Sequence, residues 1–98
     1  NYRTENNDLV QIKKKIENEN VKCLAVQGDV SSFESAENMV KQIIEEFGQI
    51  DVLVNNAGIT KDMLLMRMKK EDFESVIDVN LVGTFNITKN VIPIMMMI

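Results

Sequence analysis

The run Ile50-Asp51-Val52-Leu53-Val54-Asn55-Asn56-Ala57-Gly58-Ile59-Thr60 constrains this chain more than any other stretch. It starts as a short, β-branched, apolar segment and stops abruptly in two amides, an alanine and a glycine. Such a run, bounded by turn formers, predicts a strand over Asp51–Asn55, buried on both faces as in a parallel sheet. The bend that follows lies at the strand's carboxyl end, the edge at which open α/β sheets bind ligands. Two amides beside two small residues leave the backbone open to a polar ligand. An ordinary turn after a strand reads equally well at this point.

The rest of the chain alternates helix and strand patterns around that run. Leu9, Ile12 and Ile16 recur at helical spacing between Glu5 and Asn20, with Lys13-Lys14-Lys15 on the solvated side. Val21–Gln27 carries a second apolar run and predicts a second buried strand. Gly28-Asp29-Val30-Ser31-Ser32 follows as a loop at its carboxyl end. Asp29 is either a turn residue or a ligand contact on the same sheet edge as Asn55 and Asn56. Ser31 or Ser32 then caps a helix, and Ser31 with Glu34 fits a capping box. Phe33, Ala36, Met39, Val40, Ile43, Ile44 and Phe47 form the stripe of that helix, and Gly48 stands where a left-handed C-cap belongs.

Met63-Leu64-Leu65-Met66-Arg67-Met68 is too apolar for a free loop and predicts a short helix over a pocket or in an interface. From Glu71 the helical pattern runs to the end of the chain. Asn80 interrupts its apolar face and Pro93 predicts a bend. Asn80 is either a core amide satisfied locally or a group facing a site. Strand and helix alternating with short connections predict a parallel α/β sheet.

Composition removes several classes of function. The chain has 98 residues, 45 % of them hydrophobic, which suits one small domain or part of a larger one. A formal charge of −4 argues against nucleic acid or an anionic membrane as partner. Cys23 is the lone cysteine and lies in an apolar run, as a structural thiol does; with no histidine either, a metal site is not expected. No apolar run reaches the roughly 18–20 residues of a membrane span. The chain opens on Asn1 and stops mid-pattern in Met95-Met96-Met97-Ile98, so both ends read as truncated.

Three segments carry a family resemblance. Asp51-Val52-Leu53-Val54-Asn55-Asn56-Ala57-Gly58 resembles the D-x-L-V-N-N-A-G motif of the short-chain dehydrogenase/reductase family. Gly28-Asp29-Val30-Ser31 resembles its D-V segment after the third strand. Asp78-Val79-Asn80-Leu81 with Gly83-Thr84-Phe85 resembles its N-x-x-G/S-x-F segment in the long helix after the fourth strand. More narrowly, Asn56 to Met68 is similar to the N-A-G-I-T-R-D-x-L-L-M-R-M run of the family's 3-oxoacyl-acyl-carrier-protein reductases.

The resemblance implies that residues 1–98 are a partial NAD(P)-binding domain of α/β, Rossmann type, truncated at both ends. It would run from the end of strand 2 to the helix after strand 4 of a doubly wound parallel sheet. Asp29 and Val30 would hold the adenine, and Asn56, Ala57 and Gly58 would line the nicotinamide ribose. Asn80 would be the catalytic asparagine, holding a water of a proton relay through its backbone at a kink in the helix. Arg3, where relatives that use NAD tend to carry an acid, favours NADPH as cofactor. The implied activity is reduction of a 3-oxoacyl group on acyl carrier protein, in fatty acid biosynthesis. The parent would be a homotetramer in the cytoplasm or in an organelle of bacterial origin. The family's glycine-rich turn and its catalytic Ser, Tyr and Lys have no counterpart here, so the 98 residues alone are expected to be inactive. The alternatives are a non-catalytic α/β module and a relative acting on a small alcohol or sugar. In the order 3-2-1-4-5-6 the stretches Val21–Gln27 and Asp51–Asn55 are strands 3 and 4, with two other strands between them.

Overall fold

A computed structural model describes residues 1–97. Among the described residues there are four α-helices: α1 (Asn7–Glu17), α2 (Phe33–Phe47), α3 (Lys70–Ile77) and α4 (Gly83–Met96). A π-helical turn, Asp78–Val82, joins α3 to α4 without a break. The end of the expected long helix at Ile98 lies outside the described residues.

Local chemistry explains each helix. The Asn6 side chain accepts from the Leu9 N–H at 3.0 Å and caps α1. Asp8 in its first turn and Lys14 and Lys15 in its last oppose the helix dipole. Asn20, at φ 59°, turns the chain out of α1 in the left-handed conformation that asparagine tolerates. The Ser32 hydroxyl oxygen accepts from the Ser35 N–H at 3.2 Å and caps α2. Gly48, at φ 81°, ends α2 with its N–H on the Ile44 carbonyl. The expected box between Ser31 and Glu34 does not form, because the Ser31 hydroxyl donates to Asp29 instead.

The core lies where α2 packs on α4. Val26, Val30, Ala36 and Met39 are buried together, with Ile43, Val79 and Ile87 packed against them. Each buried Val or Met contributes about 1.5–3 kcal/mol. Gly83 lets α4 approach the Val30 side chain: a Cβ there would sit 2.6 Å from Val30 Cγ2.

The strand expectation is corrected. Neither Val21–Gln27 nor Asp51–Asn55 forms a strand. Both are extended, but a strand exists only when its N–H and C=O groups find a neighbour. Among the described residues the sheet is one parallel bridge, with the Tyr2 N–H on the Val26 carbonyl at 3.0 Å and the Gly28 N–H on the Tyr2 carbonyl at 2.8 Å. The two extended segments do not bond each other. A slot of about 200 Å³ separates them, walled by Leu24, Val26, Leu53 and Asn55 and floored by Met39 and Val91. Burial on both faces fails as well: Val52 and Val54 are 78 % and 76 % exposed, since nothing in the described chain covers that side.

The short helix expected in Met63–Met68 is a single 3₁₀ turn at Leu65–Arg67. Leu65 and Met66 are exposed in the single chain. Helix α1 forms where its spacing predicts it, and its Ile12 and Ile16 stay exposed because no other described helix packs on it. No helix among the described residues is long and apolar enough to cross a membrane.

Candidate functional site

Two loop ends face each other across a cavity of about 240 Å³, lined by residues that include Arg3, Asp29, Val30, Ala57, Gly58 and Val79. The first wall is the loop between Val21–Gln27 and α2. The Asp29 N–H donates to the Ser35 hydroxyl at 2.8 Å. Asp29 Oδ1 accepts from the Ser31 N–H at 3.0 Å and from the Ser31 hydroxyl at 2.7 Å. This is an Asx turn, in which the side chain imitates a backbone carbonyl. It occupies one carboxylate oxygen, while Oδ2 has no protein partner among the described residues.

The Ser31 hydroxyl, then the Ser31 N–H, hold the Asp29 carboxyl below the usual carboxylate range. Partial burial opposes them, and the positive charge of Arg3 adds to them. Asp29 is therefore an anion at neutral pH, able only to accept. Because its pKa is depressed on folding, the stabilisation it brings is complete above the ordinary Asp range. It is lost as pH falls through the lowered value. Next to it the Val30 carbonyl accepts from Asn86 Nδ2 at 2.9 Å. The Val30 N–H meets no acceptor among the described residues.

The second wall is held by Asn80. Its Oδ1 accepts from the Ile59 N–H at 2.8 Å, and its Nδ2 donates to the Ile59 carbonyl at 3.0 Å. A single amide thus makes to Ile59 both bonds that a neighbouring strand would make. Gly58 permits this approach, since a Cβ there would stand 3.3 Å from Asn80 Oδ1. The helical backbone contributes too. The π turn inserts one extra residue between α3 and α4, and such turns shift which side chains face a site. The Thr84 hydroxyl donates to the Asn80 carbonyl at 3.1 Å. Asn55 Nδ2 donates to the Thr88 hydroxyl at 3.2 Å and pins the start of the bend to α4.

The structure therefore brings Arg3, Asp29, Val30, Ala57 and Gly58 to one cavity. Asn80 stands behind its wall through Ile59. Asn56 lines the neighbouring slot rather than this cavity. The site can offer an anionic acceptor beside a backbone donor, a cation at the rim and a wall of small residues. Among the described residues no cluster of three or more His, Cys, Asp or Glu could hold a metal. Ser35, Thr84 and Asn86 were not singled out from the sequence. Asn86 had a signal: it falls between Gly83 and Val91 on the face that α4 buries.

Comparison with known proteins gives consistent matches. A family model described as short chain dehydrogenase matches residues 2–97. The chain is 42 % identical over 96 residues to a 3-oxoacyl-acyl-carrier-protein reductase of Staphylococcus epidermidis, covering 98 % of this chain and 39 % of that protein. It is 51 % identical over 67 residues to the enzyme of that name from Thermotoga maritima, covering 68 % of this chain and 27 % of that protein. The chain thus spans about two fifths or less of the length of these relatives. Among solved structures, an alcohol dehydrogenase of Thermococcus sibiricus complexed with 5-hydroxy-NADP superposes with a TM-score of 0.81 at 32 % identity, covering 88 % of this chain and 37 % of that one. The aldohexose dehydrogenase of Thermoplasma acidophilum in ligand-free form gives 0.74 at 33 % identity, covering 80 % and 31 %.

Proposed function

This chain belongs to the short-chain dehydrogenase family, and we propose that it is the central part of the dinucleotide-binding domain of an NADPH-dependent 3-oxoacyl-acyl-carrier-protein reductase. The observation that carries the reading is the convergence of Arg3, Asp29, Val30, Ala57 and Gly58 on one cavity. The identity to reductases of that name supports the choice of substrate.

The residues fit a dinucleotide. A 6-aminopurine edge offers an amine donor beside a ring acceptor, and Asp29 Oδ2 and the Val30 N–H offer the complement. The guanidinium of Arg3 suits a 2′-phosphate. Asn56, Ala57 and Gly58 leave their backbone open along the nicotinamide ribose. When bound, the reduced nicotinamide supplies a hydride to the keto carbon. Asn80 keeps the 56–59 wall in place through Ile59. Its carbonyl, which accepts from the Thr84 hydroxyl within the π turn, would hold a water of a proton relay. The proton donor and the residues that activate it belong to the rest of the protein, and the 98 residues alone are inactive in this reading. An extended segment from the rest of the protein fills the slot between Val26 and Leu53 and completes the parallel ladder. The exposed face of the π turn and α4, with Leu81, Phe85 and Ile92, suits pairing with a second copy in a tetramer.

The full-length protein is expected to oxidise NADPH, followed by absorbance, when given an acetoacetyl thioester. Turnover of a small alcohol or sugar with no turnover of the thioester would replace this reading. The second reading has its footing in the two dehydrogenases that share the fold.

Two further outcomes are expected. Arg3→Glu weakens NADPH binding about tenfold and leaves NADH little changed, because a charge-assisted bond to the 2′-phosphate is lost. Dissociation constants measured by cofactor fluorescence check this. Lys61, Arg67, Lys69 and Lys70 form an exposed basic group suited to an acidic carrier protein. Arg67→Glu with Lys70→Glu raises KM for carrier-bound substrate about tenfold and spares a small thioester. An equal effect on both substrates removes this docking role.

A further inference from the structure

We propose that Asn86 is a positioning residue for purine recognition, fixing through one peptide group the carboxylate that reads a 6-amino group. This rests on the reading that places the adenine at Asp29. Asn86 is the one buried polar residue among the described residues, 3 % exposed. It occupies the buried face of α4, between Gly83 and Val91.

Its Nδ2 donates to the Val30 carbonyl at 2.9 Å, across 56 residues of sequence. The other end of that same peptide, the Ser31 N–H, donates to Asp29 Oδ1 at 3.0 Å. Amide, peptide and carboxylate stand in line. A peptide is planar, so its oxygen cannot turn without its N–H turning too. The bond from Asn86 therefore sets the angle at which the Ser31 N–H meets Asp29. It also strengthens that bond, because a carbonyl that accepts makes its own N–H a better donor. The Ser31 hydroxyl holds the same carboxylate oxygen at 2.7 Å. Loss of Asn86 thus leaves Asp29 tethered but lets Oδ2 swing away from the amine.

The test uses the full-length protein, with NADPH and its 6-oxo analogue, deamino-NADPH, as probes. Dissociation constants come from cofactor fluorescence. The wild type is expected to favour NADPH about tenfold, since a 6-oxo group would face a carboxylate. In Asn86→Leu that preference falls toward one, through weaker binding of NADPH. Asn86→Ala removes the donor without adding bulk, gives the same result, and serves if the leucine variant does not fold. Without any cofactor, the Ser31 amide proton exchanges faster in both variants.

A purely structural role would weaken both dinucleotides equally and keep their ratio, and that result overturns the proposal. Loss of the preference in Asp29→Ala with its retention in both Asn86 variants overturns the positioning role alone. A wild type with no preference moves the adenine elsewhere and overturns this inference together with the reading beneath it.

Discussion

Asn80→Ala in the full-length protein is expected to lower kcat about a hundredfold, the scale of loss when a reacting wall shifts by roughly an ångström. The physical reason lies in two hydrogen bonds. Asn80 satisfies both the N–H and the C=O of Ile59, at 2.8 and 3.0 Å. Alanine leaves both groups without a partner and frees the segment 56–59 to move. Thermal melting and steady-state kinetics on the same preparation separate the two effects. The fall in kcat should persist at temperatures where the variant is fully folded. Asn80→Asp keeps an acceptor for the Ile59 N–H but sets a carboxylate against the Ile59 carbonyl, so it rescues little. Near-normal kcat in either variant would remove Asn80 from the catalytic apparatus.

Gly83→Ala is expected to destabilise the fold, against helix propensity. Propensity alone favours alanine over glycine by about 1 kcal/mol in a helix interior. Here the new Cβ would stand 2.6 Å from Val30 Cγ2 and 3.2 Å from Val30 Cβ. Val30 is buried, and a β-branched side chain has few rotamers to escape into. Overpacking of this kind costs about 1–3 kcal/mol. The clash outweighs the propensity gain, and Gly83→Leu does worse. The expected readout is a lower Tm and weaker cofactor binding, because Val30 carries the Asp29 loop. Combining Gly83→Ala with Val30→Ala should return part of the lost Tm, since the two sites are in contact. A rise in Tm for Gly83→Ala alone would show that propensity governs this position.

What could be read from the sequence was local. The helices α2 and α4 follow from apolar spacing, and Gly48 ends α2 as its position predicts. The strands did not follow, because an extended run becomes a strand only beside a partner, and Val52 and Val54 have none. Asn80 was visible as an anomaly on an apolar face, but its partner Ile59, 21 residues away, was not. Asn86 was missed although it shares a face with Gly83 and Val91. Only the fold brings Val30 to it. Arg3, Asp29, Val30, Ala57 and Gly58 were named on resemblance, and the geometry gathers them around one cavity.

The π turn at Asp78–Val82 gives this helix a fixed phase error. One residue more than an α-helix needs is wound in between α3 and α4. Deleting Leu81 or Val82 would restore α-helical pitch. It would also rotate everything before the deletion by about 100° about the axis and draw it about 1.5 Å along. Asn80 would then point away from Ile59, while Gly83, Asn86 and Val91 kept their places against the core. A single codon thus separates a helix that merely packs from one that also reaches across to the opposite loop.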